Sequence, residues 1–358
     1  MNILICSSYN NNWHAVRPEA EVFIELAKQG HNITIATQGD AEYCERFTEF
    51  GIKVVDAYPS KKICLRTIRH LKKVIEQNNI DICYALNSKT IPNAAFACIG
   101  SKAKLIAYRG TTGGLYRHDP SAYLTILHPR VDGVICVSEA VRQDVLTKVW
   151  KNKDQVVTIY KGHDINWYDT SSASRDEFNI PSTSKIGICV ANSRPSKGVQ
   201  VLLEAVKEIN DPNFHLLLVG NGMETLQAIA KQSKMSERIH FLGFRKDISN
   251  LMAMSDFQIQ PSISGEGLPK TIIEAMVVSK PSIVTTAGGS AELIINNSNG
   301  IVVDTGDQQA LTQAIEQFLE PNVDLITMGK KSKQKMEAEF SLQKSVSDHI
   351  KYFSQLLN

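Results

Sequence analysis

The stretch that most constrains this chain is FQIQPSISGEGLPKTIIEAMVVSKPSIVTTAGGSAEL, Phe257 to Leu293, where strand, polar turn, helix, strand and turn follow one another with almost no spare residues. Two apolar runs joined through a helical period form a β-α-β crossover, and parallel strands joined this way belong to a sheet covered by helices on both faces. Pro269 stands where helices begin, because the first turn has no use for the amide that proline lacks. Glu266 therefore lies in the loop, between Gly265 and Gly267, and Glu274 lies inside the helix.

With a helix start near Pro269, the amides of Lys270 and Thr271 have no intrahelical acceptor and point out of the positive helix end, a geometry that suits a diphosphate. Glu274 is about a turn and a half further on. A carboxylate facing a pocket there accepts two hydrogen bonds from a vicinal diol such as a ribose, and Glu266 on the exposed turn is free to meet a second, uncharged group. The same residues also read as ordinary solvated carboxylates.

EGLPKTIIEAM followed by KPSIVTTAGGSAELI resembles the Glu-x7-Glu signature of retaining glycosyltransferases with the two-domain GT-B fold, the group 1, family 4 transferases. The resemblance implies that Glu274 binds the donor's ribose, that Glu266 meets the transferred sugar, and that the backbone from Gly267 through Leu268, Pro269, Lys270 and Thr271 approaches the phosphates.

Upstream, KIGICVAN opens another doubly wound unit whose turn reads SRPSKGVQVLLEAV. Arg194 and Lys197 stand three residues apart on this strand-to-helix turn, so both can converge on one anion above the sheet; either alone would read as a solvated cation. The resemblance gives them the task of neutralising the departing diphosphate in place of a metal, which joins them to Glu266 as catalytic candidates. HLLLVGNG ends a strand at Gly220 and Gly222, and RIHFLGFRKDI ends another at Phe244 and Arg245, which the resemblance places near the donor's base. Ser290, behind Gly288 and Gly289, reads as a helix cap. No Asp-x-Asp occurs and the histidines are scattered, so no metal or other cofactor is expected.

At 358 residues the chain suits two domains rather than one core. Hydrophobic residues make up 43% and charged ones 21%, with a mean hydropathy of −0.15, which excludes a disordered chain. No apolar run is long enough for a membrane span, and the start MNILICSSYNNNW lacks the character of a secretion signal, so a cytoplasmic protein is expected, at most at the inner face of a membrane. Seven cysteines without a Cys-x-x-Cys pair read as reduced thiols.

The first half opens on a central strand, Asn2 to Cys6, then an expected loop from Ser7 to Pro18 and a helix from Glu19 to Lys28. The glycine fingerprint of a dinucleotide site is missing from this turn. Trp13, His14 and Arg17 are candidates to stack on or bond an acceptor sugar, or else merely cover the loop. KKICLRTIRHLKKVIEQ, residues 61–77, interleaves Lys and Arg with aliphatics at helical spacing, which suits either an anionic membrane surface or a helix packed on the sheet with a wet basic face. DICYALNS, KLIAYRG and GVICVSEAV supply three more strands, and the loop from Arg109 through Gly110 and Thr111 to Gly113 is a candidate acceptor wall. Ser138 reads as a cap.

These readings give two Rossmann-like, doubly wound parallel-sheet domains of the GT-B type facing a cleft: 1–165 for the acceptor, 166–340 for the nucleotide sugar, and a last helix, 341–358, returning to the first. The expected reaction is retaining, metal-independent transfer of a hexose-like sugar from a nucleotide diphosphate sugar to a hydroxyl of a glycan or glycolipid, in polysaccharide or lipopolysaccharide synthesis. A nucleotide-sugar epimerase of the same fold and a non-catalytic sugar-binding protein are the alternatives. Nucleic acid is not an expected partner, since the basic residues are neither in large excess nor interleaved with aromatics on a sheet.

Overall fold

The computed structural model describes the whole chain except Asn11 and Asn12 and the side chains of His14 and Ala15. It divides into two compact units, Met1–His163 with Phe340–Asn358, and Asp164–Glu339. The chain thus leaves the first unit after His163 and re-enters it at Phe340.

The first unit holds a seven-stranded, wholly parallel sheet: β1 (Asn2–Cys6), β2 (Asn32–Thr37), β3 (Lys53–Asp56), β4 (Ile82–Ala85), β5 (Lys104–Arg109), β6 (Gly133–Cys136) and β7 (Val156–Thr158). Their order is β3-β2-β1-β4-β5-β6-β7. The inner strands are continuous apolar runs such as NILIC and GVIC because both faces lie under helices. β3, at the edge, exposes Lys53 and Asp56.

The first helix runs from Trp13 to Lys28 with Pro18 inside it, so the expected start at Glu19 is too late. Pro18 lacks the amide that would reach the carbonyl one turn back, and the helix continues because Val16, Ala20, Phe23, Ile24 and Leu26 bury a continuous face. The basic segment gives a helix over Leu65–Gln77 that buries Thr67, Leu71, Val74 and Ile75 and leaves its Lys and Arg side chains exposed. The last helix, Leu342–Leu357, is capped by Ser341 and buries Val346, His349, Tyr352 and Phe353, with Tyr352 Oη donating to the Gln155 carbonyl at 2.7 Å. All seven cysteines are free.

The second unit holds six parallel strands: β8 (Lys185–Val190), β9 (Phe214–Val219), β10 (Ile239–Gly243), β11 (Phe257–Gln260), β12 (Ser282–Thr285) and β13 (Gly300–Val303), in the order β10-β9-β8-β11-β12-β13. The crossover anticipated over Phe257 to Leu293 is present: β11, a helix over Lys270–Val277, and β12 beside β11. After β8 the chain builds outward in one direction, and after β10 it returns to the other side of β8. The loops following β8 and β11 therefore diverge from adjacent strand ends, the place where open α/β sheets receive ligands.

Two buried histidines make the fold acid-sensitive. His349 donates from Nδ1 to the Ser345 carbonyl at 2.8 Å, and burial pushes its pKa down to about 4. His215 meets His240 at 3.0 Å, and burial with that neighbour also lowers it to about 4. In the unfolded chain both titrate near the ordinary value of about 6.5, so below it the unfolded state binds more protons. Their stabilisation is complete above about pH 6.5 and is lost as pH falls toward 4. Urea unfolding across this window is expected to show a falling free energy, and His349→Gln is expected to flatten the slope.

Candidate functional site

At the carboxyl ends of β8 and β11 lies an open cavity of about 420 Å³, lined by Asn192, Lys197, Gly220, Phe244, Arg245, Gln260, Glu266 and the run Leu268 to Thr271, among others. Lys197 comes from the turn after β8 and Glu266 from the loop after β11. Nζ donates to Oε1 at 2.7 Å, with the carboxylate almost wholly buried. Ser262 Oγ donates to the same oxygen at 2.5 Å and Gln260 Nε2 at 3.2 Å. A buried carboxylate is tolerated only when charge and hydrogen bonds compensate its lost hydration, and here three donors do so.

Two glycines allow the loops to come this close. Gly198 has φ 65°, and a Cβ there would lie 1.9 Å from the Pro261 carbonyl oxygen, so the turn carrying Lys197 rests directly on the loop carrying Glu266. Gly288 has φ 54°, and its Cβ would lie 2.0 Å from the carbonyl oxygen of Glu266. Residues Gly288–Leu293 form one short 3₁₀ stretch, so Ser290 caps no α-helix: it lies inside that stretch, buried, with its hydroxyl unpartnered.

Pro269 caps the helix Lys270–Val277, and the amides of Lys270 and Thr271 have no backbone acceptor. Both residues line the cavity, as do Leu268 and Pro269. Glu274 is buried at 8% exposure and pairs with Lys270 Nζ at 2.9 Å; it lies outside the cavity wall, as do Gly267, Gly222 and Arg194. Arg194 is exposed, with no side-chain partner among the described residues. Phe244 is 63% exposed on the wall, an aromatic face available for stacking. Arg245 is held by Asp247 at 2.7 and 2.8 Å and by Glu177 at 2.7 Å, and these carboxylates push its pKa further up.

Gln260 and Ser262 did not stand out in the sequence, although two glutamines alternating with apolar residues in FQIQ are a detectable oddity for a buried strand. Among the described residues no group of three or more His, Cys, Asp or Glu is placed to hold a metal ion.

In the first unit, Trp13 stacks on Tyr43 with ring centroids 4.1 Å apart, and it sits in the helix rather than a loop. Arg17 follows on the same helix, and the His14 side chain lies outside the described residues. Arg109 donates to the Gly113 carbonyl, Gly113 N donates to Asp144 at 3.0 Å, and burial lowers the Arg109 pKa. Gly110 packs on the Tyr108 ring and Thr111 is exposed. A small pocket of about 20 Å³ is lined by Glu19, Tyr84, Tyr108, Lys161 and His349, and Ser7 Oγ donates to Glu19 at 2.7 Å. Glu19 and Lys161 were not foreseen, because residues so distant in sequence meet only through the topology.

Comparison with known families follows this division. Residues 20–167 match the model described as Glycosyltransferase Family 4, and residues 170–337 match Glycosyl transferases group 1. The chain is a family 4 glycosyltransferase domain followed by a group 1 glycosyltransferase domain. It is 26% identical over 350 residues to N-acetyl-alpha-D-glucosaminyl L-malate synthase of Bacillus anthracis, covering 93% of this chain and 91% of that protein. It is 24% identical over 212 residues to the lipopolysaccharide core biosynthesis glycosyltransferase LpsE of Rhizobium meliloti, 59% of this chain and 60% of that one. Among solved structures, Anabaena HepE in complex with UDP superposes with a TM-score of 0.81 at 20% identity, covering 99% of this chain and 100% of that one. The glycosyltransferase fold is GT-B, two Rossmann-like parallel-sheet domains.

If close approach at Gly288 sets the Glu266 loop, Gly288→Ala is expected to destabilise this transferase by about 2 kcal/mol or more, through both the αL strain and the clash. Chemical denaturation measures the loss, and Gly306→Ala, whose Cβ would meet nothing within 4 Å, supplies the comparison for αL strain alone.

Proposed function

We propose that the enzyme transfers a sugar from a nucleotide diphosphate sugar to a hydroxyl acceptor with retention of configuration, the donor bound by the second domain. The observation that carries this is the Lys197–Glu266 pair beside the free amides of Lys270 and Thr271, on a cavity of about 420 Å³. The diphosphate lies on the helix tip with Arg194 and Lys197 above it, Phe244 takes the base, and Glu274 takes the ribose once Lys270 swings to the phosphates. Glu266 then holds a sugar hydroxyl. The donor's C1–O bond breaks with its electron pair passing to the diphosphate, an acceptor oxygen bonds to C1 on the same face, and the acceptor's proton goes to the departing phosphate oxygen. Arg194, Lys197 and the amides stabilise the charge that grows there, without a metal.

The acceptor belongs to the first domain, near Trp13, His14, Arg17, Arg109, Gly110 and Thr111, and is a glycan or glycolipid. The basic helix supports a lipid-linked acceptor: Lys61, Lys62, Arg66, Arg69, Lys72 and Lys73 are all exposed, and Ile63 and Leu65 beside them are 46% and 64% exposed. An anionic membrane surface at the cytoplasmic face fits that combination. Among the described residues no helix is long and apolar enough to cross a membrane, so the contact is peripheral. The resemblance of part of the chain to a lipopolysaccharide core transferase supports the same acceptor class.

Thermal-shift titration with UDP-, GDP- and ADP-sugars tests the donor, since a specific ligand raises the melting temperature by mass action. A binder is expected among them, with UDP-glucose the first to try. Arg194→Ala is expected to cut turnover about 100-fold and Glu274→Ala to weaken donor binding about 10-fold; normal values in both would refute the site. Incubating donor alone separates transfer from epimerisation, because an epimer formed without acceptor identifies the latter. Lys72→Glu with Lys73→Glu is expected to abolish co-sedimentation with vesicles containing phosphatidylglycerol.

A further inference from the structure

β11 carries Gln258 and Gln260, 0% and 2% exposed, where the adjacent strands β8 and β12 place Ile188, Ser282 and Val284 at the paired positions. Residues two apart share a face of a strand, so the two amides run in line toward the Glu266 loop. The Gln260 amide is fully used. Its Nε2 donates to Ser262 Oγ at 2.9 Å and to Glu266 Oε1 at 3.2 Å, and its Oε1 accepts from Gln258 Nε2 at 3.1 Å and from Thr271 Oγ1 at 2.9 Å. Turned over, the amide would set its carbonyl against the carboxylate. At the far end Gln258 Oε1 is left buried without a partner, which destabilises a fold. A pair of valines would avoid that penalty, so the row of amides is not there for stability.

Its effect is orientation. Lys197, Ser262 and Gln260 all donate to Oε1 of Glu266, which leaves Oε2 for a ligand. An ion pair with Lys197 alone would let the carboxylate rotate about its terminal bond. Gln260 also bonds Thr271, the second residue of the helix whose tip amides are free.

We propose that Gln260 is a positioning residue that fixes the rotation of the Glu266 carboxylate and ties it to the helix tip. A group held at the tip and one held by Oε2 then keep a single spacing. The proposal rests on the reading of this cavity as the donor site.

The test uses whichever of UDP-glucose, GDP-glucose and ADP-glucose stabilises the wild type, with calorimetric affinity and acceptor-free nucleotide release as readouts. Gln260→Met keeps the size of the side chain and removes all four hydrogen bonds. It is expected to leave the dissociation constant within about twofold while lowering the release rate about tenfold or more, the signature of lost positioning rather than lost binding. Thr271→Val cuts only the tie to the helix tip and is expected to give a smaller loss that does not add to the first in the double variant. A folded Gln260→Met protein with the wild-type rate, or with rate and affinity lost in parallel, overturns the proposal. Should that variant fail to fold, a Thr271→Val rate equal to wild type overturns it and a lower rate at unchanged affinity supports it. Failure of the wild type to bind any of the three sugars refutes the donor-site reading itself, and the proposal with it.

Discussion

The ion pair between Lys197 and Glu266 is the contact on which the rest of the second domain depends. It joins two loops that leave adjacent strands at the point where the sheet reverses its order, so neither loop could be moved without separating the pair. Everything around it serves the approach: Gly198 lets one turn lie on the Pro261 carbonyl, and Gly288 lets a third loop back the carboxylate. The pair itself lends little stability, because desolvating both charges offsets most of their attraction. Its value is that a buried carboxylate is held in direction beside a cation.

The strand beneath explains how that direction is kept. An apolar β11 would pack as well or better, and the buried, unpartnered oxygen of Gln258 marks a local departure from the rule that buried polar groups are satisfied. Such departures concentrate where a site must be rigid. In the first domain Lys161 stands 3.8 Å from Glu19, which also accepts from Ser7 Oγ at 2.7 Å, and Arg109 spends its guanidinium on its own loop.

Much of this was legible in the sequence because the deciding signals are local. Pro269 announced a helix tip, the apolar runs announced parallel strands, and the group 1 likeness of EGLPKTIIEAM extends through residues 170–337. What failed was of two kinds. Pro18 read as the end of a loop, yet the apolar face from Val16 to Leu26 carries the helix through it, tertiary burial overriding a local breaker. Ser290 read as a cap because Gly-Gly-Ser suits one, but Gly288 is used instead for close approach to Glu266. Sequence spacing also places Glu274 in a helix without fixing what it faces, since its partner is set by which side of the helix the sheet buries. Gln260 escaped notice for a related reason: its meaning lies in four partners, one on its own strand, two on the loop that follows and one in the next helix.

The charges around the second-domain cavity have a common pattern. Lys197 is bound to Glu266, Lys270 to Glu274, and Arg245 to Asp247 and Glu177, so three of its cations are already neutralised by carboxylates. An anion arriving there meets no bare positive cluster; it must exchange partners. For Arg245 the exchange is unfavourable, because two carboxylates hold one planar guanidinium and raise its pKa, and it therefore braces the loop behind Phe244. For Lys270 the exchange is easy, since its single contact with Glu274 is an i,i+4 pair on a partly exposed chain. Moving Lys270 to a phosphate frees the Glu274 carboxylate for a hydrogen-bond donor at the same moment. An inorganic anion completes only the first half of that exchange and leaves a buried carboxylate without its cation. A ligand that joins a diphosphate to a hydroxyl-bearing group completes both, so under the proposed donor reading the Lys270–Glu274 salt bridge favours a nucleotide over free phosphate.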